Sequence, residues 1–236
     1  MRAMQNEPSA GEHGWDLNWF RPKDKRDRAQ CSLYSLTGYP YPLRRGRWTA
    51  GETYILNSDL WIAERITEDA SDRARPIDER PGIRSLVHLG MAAGGVVVES
   101  LDDLGDVHDQ AAVGLYFQDL GQDHPLATPA GPLSESRLNR LLTLSGGAAR
   151  VRPVVDGLKA IRDDAVVEAL RSHEAVTFGK FGSLGRRDYE AAVEWTKSLR
   201  AMGCARQEII DRLNLEGYVN PSGRRRWNVH NVPVTT

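Results

Sequence analysis

The sequence predicts an α/β domain with a small parallel sheet, followed by a helical segment and a small all-α unit. Three observations lead there. Val96-Val97-Val98 is a β-branched run, apolar on both faces and too short for a helix, and stretches of helical period stand on either side of it. Residues 126–180 are apolar mostly at helical steps. Beyond the Gly-rich stretch 179–185, two short helical patterns are joined by a Gly-containing turn. A chain of 236 residues with 40% hydrophobic content has room for one ordinary core and a smaller second one. We divide it into an arm (1–29), an α/β domain (30–126), a helical segment with a hinge (127–185) and the last unit (186–236).

The elements follow in order. Residues 1–29 are polar, contain Pro8, Gly11, Gly14 and Pro22, and have no sustained period, which describes a flexible arm. CSLYSL, residues 31–36, is a short strand ahead of the turn-rich TGYPYPLRRGRW, residues 37–48. Leu60 to Ile66 suits a strand or a helix end, and the acidic, Pro-containing stretch 68–79 is an irregular connection. Ile83, Leu86, Val87 and Met91 form one face of a helix over 82–93 that Gly94-Gly95 ends, the valine strand follows, and a second helix runs from Val107 to Gly121.

Leu138, Leu141, Leu142, Val155, Leu158 and Ile161 recur at helical steps, while Gly146-Gly147 and Pro153 interrupt them. Two helices or one kinked helix are therefore expected. In the last unit Asp188 caps a helix carrying Ala192, Trp195, Leu199 and Met202 on one face, closed by Gly203. A second helix, Ala205 to Leu215, buries Ile209, Ile210 and Leu213. This is a helix-turn-helix signature, and Arg224–Arg226 with Trp227 lead into the element expected to read DNA.

Charge narrows the function. The net charge of −1 excludes a uniformly basic nucleic-acid coat, but the distribution is uneven. Residues 60–125 carry 5 basic against 13 acidic groups, and residues 180–236 carry 10 against 6. A phosphate backbone is repelled by the first block and attracted by the second. Cys31 and Cys204 stand alone, so no disulfide framework and no metal-type Cys spacing exists. The sequence lacks the roughly 18-residue apolar run of a membrane span and the apolar core of a secretory signal, so a cytoplasmic protein is expected, nucleoid-associated when on DNA. No metal and no cofactor are expected. The histidines are scattered and form no triad.

Residues 203–232, GCARQEIIDRLNLEGYVNPSGRRRWNVHNV, resemble the C-terminal DNA-binding part of the serine recombinases, the resolvase and invertase family. Gly203, Ile209, Leu213, Asn214, Gly217, Pro221, Gly223 and Trp227 carry the likeness. The stretch ERPGIRSLVHLGMAAGGVVVESLDDLGD is similar to the family's catalytic-domain segment, and ATPAGPL, residues 127–133, to the segment that opens its long helix. The resemblance covers about residues 60 to 232 in the right order and thins between 134 and 185. It implies a resolvase-like α/β domain, double-stranded DNA as partner, and a homodimer. The DNA-contacting candidates are Arg206, Arg224, Arg225, Arg226, Trp227, Asn228 and His230.

The family attacks a phosphodiester with a serine hydroxyl and gathers arginines around the transferring phosphate. The resemblance puts Arg80 on one such arginine and Asp102 on the acid of the strand-end motif, but Asp103 and Asp106 stand where two further arginines belong. Ser35 is the candidate nucleophile, with Leu33 at the arginine position before it. Aligning Tyr34 instead puts Gly38 at the nucleophile. The bland readings are a strand hydroxyl for Ser35, a helix-start arginine for Arg80 and a solvated loop for DDLGD. The expectation is a degenerate relative that binds DNA without cutting it and acts as a regulator or accessory factor. An active recombinase with a divergent site and a protein-interaction scaffold are the rivals; Pro233 favours the scaffold, because it ends a DNA-reading helix early.

Overall fold

A computed structural model describes residues 28–36, 48–92, 95–121, 125–171 and 187–233. Most of the expected arm, the turn-rich stretch 37–47 and the hinge 179–185 lie outside these residues. The chain is an α/β protein built on a five-stranded, mostly parallel sheet of order β2-β1-β3-β4-β5. The strands are β1 (Ala29–Ser35), β2 (Leu60–Thr67), β3 (Val96–Val98), β4 (Leu126–Thr128) and β5 (Gly131–Pro132). The first four run parallel, and β5 returns antiparallel beside β4.

Seven α-helices accompany them among the described residues: α1 (Ala50–Asn57), α2 (Pro81–Ala92), α3 (Val107–Leu120), α4 (Glu135–Leu144), α5 (Ala148–Arg171), α6 (Tyr189–Ala201) and α7 (Arg206–Leu215). The valine strand is buried, and its pleat divides it between two cores. Val96 and Val98 face Tyr34, Ile66, α2, α3 and α5, whereas Val97 faces Cys31, Leu33, Ile62, Ile55 of α1 and Leu215 of α7. A strand covered on both faces has no polar side to show, hence three consecutive valines.

Two expectations are corrected, one helix is new, and one open alternative is decided. The strand starts at Ala29, and Arg28, assigned to the arm, is buried, donating to the carbonyls of Leu60 and of Asn214. Helix α1 was not foreseen, although Thr49-x-x-Glu52 forms a reciprocal capping box at its start. Residues 126–132 continue the sheet as a hairpin instead of opening a helix, with Gly131, the first residue of β5, at φ 114°. Of the two helices or one kinked helix expected, two form: α4 and α5 are separate, split at Gly146-Gly147, and their Leu141, Val151, Val155, Leu158 and Ile161 belong to the α/β core. Pro153 sits inside α5.

In the last unit, α6 is capped by Asp188 through the Ala191 N–H, and α7 follows the Gly203 turn. Their apolar faces enclose Ala192, Leu199, Ile209, Ile210, Leu213, Trp227 and Val232. The reading helix expected after Trp227 does not form through Pro233; residues 228–232 make turns. Asn228 accepts from the His230 N–H at 2.9 Å and Asn231 accepts from the Asn228 N–H at 2.7 Å. With the Asn231 N–H also bonded to the Asn228 side chain, these bonds repeat the reciprocal pattern of Thr49 and Glu52, but Pro233 has no N–H to continue a helix beyond this single turn.

Candidate functional site

The carboxyl ends of the parallel strands collect Ser35, Glu68, Glu99 and the loop Asp102 to Asp106, and Arg80 enters from the start of α2. Arg80 is 0% exposed. Its Nε and Nη2 donate to Glu68 Oε2 at 3.0 and 2.5 Å, and Nη2 also donates to Tyr34 Oη at 2.7 Å. Its Nη1 donates to the Leu104 carbonyl at 2.6 Å, and Nη2 reaches the Asp103 carbonyl at 2.9 Å. Tyr34 in turn donates to Glu68 Oε2 at 2.5 Å, and the Gly82 N–H donates to Glu68 Oε1 at 2.9 Å. Burial, and then the bond to Glu68, push the Tyr34 phenol up, so it stays a neutral donor. The group ties β1, β2, the start of α2 and the 101–104 turn together.

Around this knot the carboxylates are held by the backbone. Asp106 caps α3, accepting from the N–H groups of His108 and Asp109 at 2.8 and 3.0 Å. Asp102 is exposed and accepts from Gln110 Nε2 at 3.3 Å. Burial raises the pKa of Asp103 against the pull of the Leu36 and Ser100 N–H groups, and raises that of Asp109 with help from the Asp106 charge. Glu99 closes the other side, accepting from the Thr49 hydroxyl and from the Gly51 N–H at 2.8 Å, with burial as the main cause of its raised pKa. Ser35 is half-buried at the end of β1, opposite Thr67. A phosphodiester brought here meets carboxylates, and Arg80 is neutralised by Glu68 beneath them.

The last unit packs on the edge strand β2. Arg187 donates from both terminal nitrogens to the Ile62 and Ala63 carbonyls at 3.0 Å, and its guanidinium lies 5.3 Å from the Trp61 ring. Arg225 lies 4.9 Å from the same ring, Arg226 pairs with Asp59, and Arg65 bridges Glu52 and Glu216 at 2.9 and 2.5 Å. Gly217, at φ 67°, passes so close that a Cβ there stands 2.2 Å from Trp61 Cε3. An open sheet edge is thereby covered.

The DNA-contacting candidates therefore fall into groups. Trp227 is buried; its indole N–H donates to the Tyr218 carbonyl at 2.7 Å, and its backbone is clamped by Asn214 through bonds of 2.7 and 3.0 Å. Arg225 and Arg226 lean on β2, and Arg224 is half-buried in a loop organised by Asn220, which accepts from the Ser222 and Arg224 N–H groups. Arg206, Asn228 and His230 are exposed, and Arg206 reaches across to the Val229 carbonyl. Helix α7 begins at Arg206, and its N-cap residue, Ala205, makes no side-chain cap bond. Sequence reasoning missed Glu68 as the partner of Arg80 and missed Asp59, Trp61 and Arg187 altogether. Only the capping box at Thr49 had a local signal.

No helix among the described residues is long and apolar enough to cross a membrane. Both cysteines are free, Cys31 buried and pushed up to about 12 mainly by that burial. Comparison with protein-family models, with curated proteins and with solved structures found no match.

Proposed function

We propose that the chain is a degenerate relative of the serine recombinases that binds double-stranded DNA through its last unit without cutting it, as a regulator or accessory factor. One observation carries the reading: Arg206 and the exposed Asn228–His230 turn meet at the start of α7, where the N-cap residue, Ala205, supplies no side-chain bond. A cationic side chain beside the positive end of a helix is a phosphate-binding arrangement. On this reading α6, the Gly203 turn and α7 are the helix-turn-helix, and α7 is the element offered to DNA. Pairing of two copies, with α5 as the shared helix, belongs to the same proposal.

Absence of strand cleavage follows from charge. Arg80 spends its charge on Glu68 inside the core, and Asp103 and Asp106 stand near the surface where cations are needed. A second reading, a protein-interaction scaffold, is favoured by the turns that replace a helix after Trp227. Fluorescence anisotropy of the full chain on duplex DNA across a salt series separates the two. We expect binding at about 50 mM salt, and a slope that Arg206→Ala flattens by about one counterion. No binding at low salt leaves the scaffold. A phosphoserine-linked DNA adduct abolished by Ser35→Ala reinstates the enzyme.

A further inference from the structure

We infer that the edge of β2 competes with DNA for Arg225 and Arg226, so that the chain carries its own stand-in for a phosphate at Asp59 and for a base at Trp61. The inference rests on the DNA reading and adds a regulation to it. Asp59, in the turn before β2, holds Arg226 directly and receives Arg28 Nε at 3.2 Å. Trp61, two residues on, has both Arg225 and Arg187 against its ring at 4.9 and 5.3 Å. These are contacts an arginine also makes with nucleic acid, a carboxylate replacing the phosphate and an indole replacing a base.

The contacts differ in how easily they yield. The Arg65–Glu216 pair is largely shielded, with side chains 16% and 8% exposed, and anchors the unit. The Arg226–Asp59 pair sits at the margin, with side chains 47% and 56% exposed. Exposed pairs are weak and screened by salt, whereas a phosphate backbone offers many anions and releases counterions. A polyanion arriving at the loop can therefore take Arg226 from Asp59 while Arg65 keeps the unit in place. Arg206, at the start of α7, has no such competitor in β2 and makes the first contact.

A double-mutant cycle on duplex DNA at low salt tests this with the full chain. Asp59 has φ 58°, a left-handed conformation that asparagine tolerates, so Asp59→Asn removes the charge and keeps the turn. We expect Asp59→Asn to tighten binding about fivefold and to steepen the salt slope by about one. Arg226→Ala should then cost more in the Asp59→Asn background than in the unaltered protein, because only there is the arginine released. Trp61→Phe, which keeps a ring with a weaker pull on Arg225, should give a smaller gain in the same direction. Unaltered protein that binds DNA, with no gain from Asp59→Asn or with strictly additive effects, overturns the competition and leaves the DNA reading standing. Failure of every variant and of the unaltered protein to bind overturns both.

Discussion

Glu68→Gln is the sharpest probe of what Arg80 does in this chain. The glutamine has the shape of the glutamate but no charge, and its NH2 replaces one of two accepting oxygens, so it meets donors either way: the Arg80 guanidinium and Tyr34 hydroxyl on one side, or the Gly82 N–H on the other. Both partners of the ion pair are at most 1% exposed, so the variant leaves a guanidinium inside the protein without its countercharge. Breaking such a pair costs about 3–5 kcal/mol, a large part of the roughly 5–15 kcal/mol of a typical domain. Arg80→Met has a similar cost, about 3–4 kcal/mol, because Glu68 and the carbonyls of Leu104 and Asp103 lose their donor. The double variant buries no charge, so its cost should be about 4 kcal/mol and not the roughly 7 kcal/mol of the two added, a coupling near 3 kcal/mol. Urea unfolding followed by circular dichroism, with the m-value as a check on two-state behaviour, measures all three. DNA affinity per folded molecule should be unchanged in Arg80→Met. Additivity within about 0.5 kcal/mol, or a selective loss of DNA binding from a stably folded Arg80→Met, refutes the structural assignment.

Two further outcomes follow from the same geometry. Gly217→Ala combines a left-handed backbone with a Cβ placed 2.2 Å from Trp61 Cε3, so it should destabilise by more than about 2 kcal/mol and change the tryptophan emission; an unaltered melting temperature contradicts the packing of the last unit on β2. Burial raises the Glu64 carboxyl to about 6 against the attraction of Arg187, and a raised carboxyl pKa means that the fold disfavours the charged form. The penalty is therefore absent below the unfolded pKa, sets in as pH rises toward 6, and is full above it. After discounting for partial solvent screening, Glu64→Gln should gain about 1 kcal/mol at about pH 8 and nothing near pH 4, and an equal gain at both contradicts the assignment.

Local order in this protein is legible along the chain, because it depends on neighbours a few residues away. The valine strand, the helices over 81–92 and 107–120, the Asp188 cap and the Gly203 turn all follow from period, capping and backbone freedom within one element. Asn214, Gly217 and Trp227, singled out as a pattern, have tertiary reasons: a backbone clamp, a close approach and an apolar anchor. The division of Val97 from Val96 and Val98 was implicit in the two-residue period of a strand, but which helices cover each face was not.

Partner choice for the charges was decided by the tertiary structure. Arg80 finds Glu68 only because β2 ends beside the start of α2, and Arg226 finds Asp59 across 167 residues because the last unit settles on the edge of the sheet. Sequence alone determined that residues 180–236 carry surplus positive charge and that residues 60–125 carry surplus negative charge. It left open that part of the first surplus lies against the edge strand that leads into the second. Periodicity acts within a helix or strand, whereas an ion pair is set by strand order, register and the packing of one unit on another, which no spacing along the chain encodes.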